Sequence, residues 1–136
     1  MARRNEYRGK WKISKHTFLM ALHFAYQYND WKAERDRLVN TSRAITYSDM
    51  PHGTSIPNPT EEVGMRIAEL SDRIELVEQT AKEADAEIYP WLLKAVTEEN
   101  VGYDFLKLRH EIPCGKDMYQ ERRRKFYYLL SGKICK

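Results

Sequence analysis

The side chains that could carry chemistry in this chain are four histidines, two cysteines and 20 carboxylates, and their spacing argues against catalysis. His16 and His23 lie seven residues apart, which is two helical turns and too far for one metal ion without another element between them. Cys114 lies near His110, but no oriented third group or oxyanion site accompanies this pair. The glycines are scattered singly, which argues against a phosphate-binding loop. We therefore predict no catalytic residue, no metal site and no cofactor.

A basic segment near the C-terminus offers binding chemistry instead. Residues 103–109 have the pattern of a short helix, residues 112–115 that of a tight turn, and residues 116–130 that of a longer basic helix. This layout is typical of a helix-turn-helix, in which the second helix enters the major groove of DNA. The sequence therefore predicts a DNA-binding unit over residues 90–136.

A helical wheel divides the second helix of this unit into an apolar arc and a polar arc. The apolar arc is expected to pack on the preceding helices. Arg122 falls inside it, where its stem should be covered while its guanidinium emerges or pairs with an acid. The apolar arc consists of Met118, Tyr119, Phe126, Leu129 and Leu130.

Five residues of the same helix are candidate DNA contacts. Gln pairs with adenine and Arg with guanine through two hydrogen bonds, which favours Lys116, Gln120 and Arg124 as readers of base edges. Arg123 and Lys125 are better placed for phosphate, which fixes register without reading sequence. A solvated basic face without a ligand is the alternative interpretation of this charge run.

The net charge of +3 hides two basic ends. Residues 1–15 and residues 116–136 each carry +5, so the residues between them carry −7. This segregation suits an acidic body whose basic termini grip DNA. Arg3 and Arg4, in a basic arm over residues 1–13, therefore join the candidate contacts. A disordered basic tail beside a charged helix is the alternative.

A long helical hairpin is predicted to precede this unit, over residues 14–89. Residues 14–45 contain neither Gly nor Pro, which predicts one long helix. The Pro-rich stretch 47–60 has the composition of a loop. Pro59 suits the first position of the following helix, with Asn58 as its N-cap.

An apolar seam in the second helix of the hairpin is the clearest periodic signal in the chain. Its members recur with alternating gaps of four and three residues, which is typical of a coiled-coil helix that packs along its length against a partner. We prefer the first helix as this partner because the connecting loop is short, and a homodimer stays open as the alternative. The seam consists of Val63, Ile67, Leu70, Ile74, Val77, Ala81, Ala84 and Ile88.

The fold class is predicted to be all-α, a long helical hairpin followed by a small C-terminal helix-turn-helix, because no segment shows sustained alternation of period two. The longest apolar runs are far too short to span a bilayer and the N-terminus lacks the centre of a signal peptide, so we expect a cytoplasmic protein. The aromatic residues near the N-terminus are interpreted as core rather than as a binding box. They are Trp11, Phe18, Phe24, Tyr26, Tyr28 and Trp31.

The chain resembles the small phage and prophage transcription regulators of the RinA and ArpU type over roughly residues 40–134. The resemblance rests on the seam and on residues 57–60 (PNPT), 103–109 (YDFLKLR), 112–115 (IPCG) and 119–126 (YQERRRKF). It implies a C-terminal helix-turn-helix like that of sigma factors. The implied recognition helix carries Lys116, Gln120, Arg123 and Arg124.

The resemblance further implies a sequence-specific DNA-binding regulator that activates late phage genes. Its expected partners are double-stranded DNA and RNA polymerase, and its expected location is the nucleoid of a bacterial host. Two alternatives stay open. One is a phage accessory module that binds RNA polymerase or a host defence protein through the seam and the aromatic segment. The other is a DNA-packaging recognition subunit, which would form a higher oligomer.

Overall fold

A computed structural model describes residues 10–48 and 59–134, with side chains for residues 10–41 and 61–134. Arg3, Arg4 and Asn58 lie outside the described residues. Within the described residues the chain forms six helices and no strand, which confirms the all-α prediction, and none of these helices has the length and apolar character needed to cross a membrane. The helices are α1 (Lys15–Tyr26), α2 (Tyr28–Ser48), α3 (Pro59–Ala84), α4 (Tyr89–Thr97), α5 (Tyr103–His110) and α6 (Lys116–Ile134).

The first helical segment is divided into α1 and α2, so the prediction of one uninterrupted helix is wrong. The N-cap Ser14 starts α1, and its side chain accepts a hydrogen bond from the Thr17 N–H at 3.2 Å. The break falls at Gln27, whose N–H bonds to Phe24 O at 3.2 Å, three residues back instead of four. The two helices have different partners, because α1 packs on α4 and α6 whereas α2 packs on α3. Tertiary packing therefore explains a break that no Gly or Pro announces.

The predicted hairpin is formed by α2 and α3, which run antiparallel. α3 begins at Pro59, as predicted. Toward the end of the hairpin where α2 finishes and α3 begins, Arg66 donates to both carboxylate oxygens of Glu34, from Nε at 2.8 Å and from Nη2 at 3.2 Å. At the opposite end of the hairpin, where α2 begins, the Tyr28 hydroxyl donates to the Glu78 carboxylate. The first helical segment is thus the partner of the seam, as preferred from the sequence.

The seam of α3 is buried along most of its length and half-buried at Val63 and Ile67, near the start of the helix. The helix stops at Ala84, although the repeat predicts that it continues to Ile88. Asp85 makes the stop, because its Oδ1 accepts the backbone N–H groups of Glu87 at 2.8 Å and Ile88 at 3.1 Å. Ile88 nevertheless stays in the core at 1% exposure.

One continuous cluster of buried side chains joins all six helices. α6 packs on α1 and α3 as well as on α4, so the C-terminal helices share their core with the hairpin. The ring of Phe18 meets that of Tyr127 edge to face, with centroids 5.0 Å apart. The core interpretation of the N-terminal aromatics is right for Phe18, Tyr28 and Trp31, which are buried.

The buried side of α6 differs from the predicted apolar arc at one end. Met118 is 38% exposed, so its assignment to the packed arc is wrong. Tyr127 and Ser131, which the wheel did not assign to that arc, are buried instead. The difference arises because α6 buries the side carrying Phe126 and Leu130 among α1 and α3, which turns Met118 away from them.

Candidate nucleic-acid interface

The turn between α5 and α6 is closed by bonds to both helices. Glu111 ends α5 in the left-handed region, with φ 52°, and the Ile112 N–H then bonds to Leu106 O at 3.2 Å. The Tyr103 hydroxyl donates to Cys114 O at 2.8 Å, which ties the start of α5 to the end of the turn. Leu106 and Ile112 are fully buried beneath it. The geometry of a short helix, a tight turn and a longer helix is therefore well defined.

α4 braces this pair of helices. The Trp91 indole donates from Nε1 to His110 O at 2.8 Å, which fixes the C-terminal end of α5. The rings of Tyr103 and Tyr119 lie 5.6 Å apart and join the start of α5 to the first turn of α6. The three helices present α6 at the surface, with Lys116 exposed in its first turn and Tyr119 buried against α5.

The five predicted DNA contacts on α6 do not share one flank of the helix, because Gln120 and Arg123 face the start of α5 whereas Lys125 lies beside Trp11 on another side. Lys116, in the first turn of α6, is exposed, and Arg124, about two turns later, is half-buried. The Arg123 guanidinium lies 5.0 Å from the centroid of the Tyr127 ring. Gln120 and Arg123 line a surface cleft between α6 and the start of α5, together with Val101, Gly102, Tyr103 and Tyr119.

Arg122 has a structural partner, as predicted for a cation inside the apolar arc. Its Nε lies 2.8 Å from Asp85 Oδ2, and Nη1 bonds to the Glu121 carboxylate. Burial would raise the pKa of Asp85, but the hydrogen bonds from Arg122 and from two backbone N–H groups outweigh it and hold this pKa below its usual value. Arg122 therefore joins α6 to the α3–α4 turn and is committed to that contact.

Trp11 occupies the outer surface of α6, a position that sequence reasoning did not find. Its Nε1 donates to Glu121 Oε2 at 2.9 Å, and its ring lies 5.3 Å from that of Tyr128. The core interpretation is therefore wrong for Trp11, which is half-buried on this helix face. The contact spans 110 residues of sequence, so no local pattern signals it.

Two lysines from opposite ends of the chain meet at this indole. Lys10 Nζ lies 4.9 Å and Lys125 Nζ 5.4 Å from the centroid of the Trp11 ring. Glu121 lies beside them as an anion. Burial would raise its pKa, but hydrogen bonds from Trp11 and Arg122 lower it more strongly. The fold thus brings the described parts of the two basic segments onto one surface.

Cys114 and the His, Asp and Glu side chains are the other reactive groups among the residues with described side chains. Burial, reinforced by the nearby Asp85 carboxylate, raises the pKa of the Cys114 thiol and disfavours the nucleophilic thiolate. Among the residues with described side chains, no three His, Cys, Asp or Glu groups converge to hold a metal ion.

No family model, no curated protein and no solved structure matches this chain. The chemistry of the surface around α6 is therefore the basis for a functional inference.

Proposed function

We propose that this chain is a sequence-specific DNA-binding transcription regulator of phage or prophage origin that contacts duplex DNA through α6. The meeting of Lys10 and Lys125, one from each basic segment of the chain, at the Trp11 indole is the observation that carries the proposal. Cations gathered on one surface favour DNA because neutralising phosphates releases the counterions condensed on the duplex. The resemblance to RinA- and ArpU-type regulators supports a role in late-gene activation with RNA polymerase as a second partner.

Each candidate residue has a distinct role in the proposal. Lys116, Gln120 and Arg124 read base edges from the N-terminal half of α6, the part that approaches them in a helix-turn-helix. Arg123 contacts a phosphate, which suits its place in the cleft next to the N-terminus of α5. Lys125 contacts a second phosphate once the surface that it shares with Trp11 is free.

Selecting bound fragments from the source genome tests the proposal and supplies the cognate site. Gln120→Ala and Arg124→Ala should each weaken binding to that site by about 5- to 150-fold, because a bidentate base contact is worth about 1–3 kcal/mol. Binding to random duplex should change far less. Arg37→Ala is the matched control, since it removes an exposed cation on α2, away from the proposed surface.

The possible results separate base reading from general affinity. Equal losses on cognate and random DNA would make Gln120 and Arg124 phosphate contacts and refute their base-reading role. Recovery of no enriched fragment, with affinity that Arg37→Ala lowers as much as Arg124→Ala, would refute sequence-specific binding altogether.

A protein-interaction module is the second candidate, and the exposed side of α5 favours it. Leu108 is 82% exposed and Phe105 is 39% exposed, three residues before it on the same helix. Paired apolar side chains on a surface suit a protein partner better than DNA. Salt distinguishes the two functions, because DNA affinity falls by orders of magnitude between low and moderate salt whereas an apolar interface barely responds.

A further inference from the structure

Trp11 packs against the middle of the solvent-facing side of α6. The residues that hold the indole, Glu121, Lys125 and Tyr128, are spaced by four and three residues and therefore form one stripe along the helix. At 100° per residue this stripe points nearly opposite to the buried Phe126 and Leu130. The indole thus covers the side of α6 that lies farthest from the core.

A helix that enters DNA has no room for such a cover. The major groove of B-DNA is about 12 Å wide, and an α-helix with its side chains is about 10–12 Å across. The helix alone fills the groove. An indole and the backbone that carries it add a further layer on the outermost side.

We propose that the segment carrying Lys10 and Trp11 is an autoinhibitory strap, which closes the outer face of α6 in the free protein and leaves it when DNA binds. This inference rests on the proposed DNA-binding function. The strap holds Lys125 at the indole and keeps Tyr128 in contact with the ring, so opening frees a cation and an aromatic side chain for DNA together. The opening equilibrium sets the affinity, because the apparent affinity equals that of the open state multiplied by the fraction of molecules that are open.

The contacts of the strap explain why it is reversible. One indole N–H bond to the Glu121 carboxylate, one tilted ring pair with Tyr128 and one cation–ring contact with Lys125 hold it on α6. Each is a partly exposed surface interaction, and the entropy lost in ordering the segment offsets part of their sum. Their sum holds a population in the closed state without fixing it there, which is what a switch requires.

Trp11→Ala should therefore bind DNA more tightly than the wild-type chain. We expect a gain of about five- to tenfold on a fluorescein-labelled duplex of mixed sequence, corresponding to a closed state that is about five to ten times more populated than the open one. Trp11→Phe, which keeps a ring but loses the N–H, should fall between the two proteins. Trp31→Phe is the matched control, because it removes an indole that also lies beside a cation, with the Arg73 guanidinium 5.7 Å from the ring centroid, and it lies on α2, outside the α5–α6 pair.

Hydrogen exchange of the Trp11 indole N–H in the wild-type chain reports directly on whether the strap is closed. The indole N–H resonance of Trp11, assigned by its absence in Trp11→Phe, should exchange with water about five- to tenfold more slowly in the free protein than after the duplex is added. The resonance of Trp91 should keep its exchange rate in both states. Far-UV circular dichroism verifies that both variants retain their helices.

The outcomes separate the strap from the DNA-binding proposal. DNA binding that Trp11→Ala weakens or leaves unchanged would overturn the strap alone. A Trp11 indole N–H that stays protected in the DNA complex would overturn it as well. Failure of both the wild-type chain and Trp11→Ala to bind any duplex would refute the DNA-binding function, and the inhibitory role with it.

Discussion

Asp85 is the residue whose replacement tests the fold most sharply, because a single carboxylate joins three parts of the chain. Its Oδ1 accepts the N–H groups of Glu87 and Ile88, and its Oδ2 accepts a hydrogen bond from Arg122 Nε at 2.8 Å. The Asp85 side chain is only 8% exposed, so water replaces these bonds poorly when they are lost. Asp85→Ala removes all three bonds, whereas Asp85→Asn keeps an oxygen for the backbone groups and loses the charge together with the acceptor for Arg122, because an amide NH2 group cannot accept a hydrogen bond.

The expected losses follow from the bonds. A charge-assisted hydrogen bond contributes about 1.5–3 kcal/mol, and the lower end applies because Arg122 is about one-third exposed. The two backbone bonds add about 1 kcal/mol or less each. We expect Asp85→Ala to lower the free energy of unfolding by about 3 kcal/mol and Asp85→Asn by about 1.5 kcal/mol. Asp72→Asn, at an exposed position of α3, is the control and should change stability by less than about 0.5 kcal/mol.

Urea unfolding followed by circular dichroism over a pH series is the assay. The folded-state pKa of Asp85 lies below its usual value of about 4, so its contribution is complete above that pH and is lost as pH falls through the folded-state pKa. The stability difference between the wild-type chain and Asp85→Asn should therefore be constant from neutral pH to about pH 5 and shrink below about pH 4. Equal stabilities at pH 7 would refute the reasoning. A difference that stays constant down to the lowest pH at which both proteins fold would refute its electrostatic part.

Two further predictions concern the α5–α6 turn. Glu111→Gly should raise the free energy of unfolding by about 0.5 kcal/mol, because relief of the left-handed conformation at φ 52° exceeds the added entropy of glycine in the unfolded chain. The control Lys107→Gly, inside α5, should lower the free energy of unfolding by about 1 kcal/mol. A Glu111→Gly variant less stable than the wild-type chain would contradict the strain at this residue. Cys114 should react with iodoacetamide more slowly in the folded protein than in urea at pH 7.5, because burial and the Asp85 carboxylate raise its thiol pKa. Peptide mass spectrometry separates Cys114 from Cys135, and equal rates in the folded and unfolded protein would contradict that shift.

The parts of the fold that the sequence predicted are those with local signals. Pro59 marks the start of α3 because its missing N–H is harmless there, and the 3.5-residue repeat specifies a helix that packs along its length. Arg122 stands out because a cation inside an apolar arc requires a partner, although nothing local names Asp85 as that partner. The break at Gln27 has no such signal, since it arises where the packing partner changes from α6 to α3.

The candidate site was predicted less completely, because its outer surface is built by a distant segment. The wheel correctly placed Tyr119, Phe126 and Leu130 on the side of α6 that packs on the core, since periodicity reports which side of a helix is apolar. Periodicity within α6 cannot report which distant segment of the chain packs over its polar side. Trp11 reaches α6 from the other end of the chain, and only the folded arrangement of α1 against α6 places the two together.

The basic run at residues 122–125 shows why a count of cations overstates the phosphate contacts of a helix. Arg122 is bound to Asp85 and Glu121 and supports the fold. Lys125 lies at the Trp11 indole in the closed state. The Arg123 guanidinium lies 5.0 Å from the centroid of the Tyr127 ring, so most of the run already contacts other side chains of the fold, and opening of the strap adds Lys125 and Lys10 to the cations proposed to meet DNA. Affinity in such a protein depends less on how many cations the helix carries than on which of them the rest of the fold already holds.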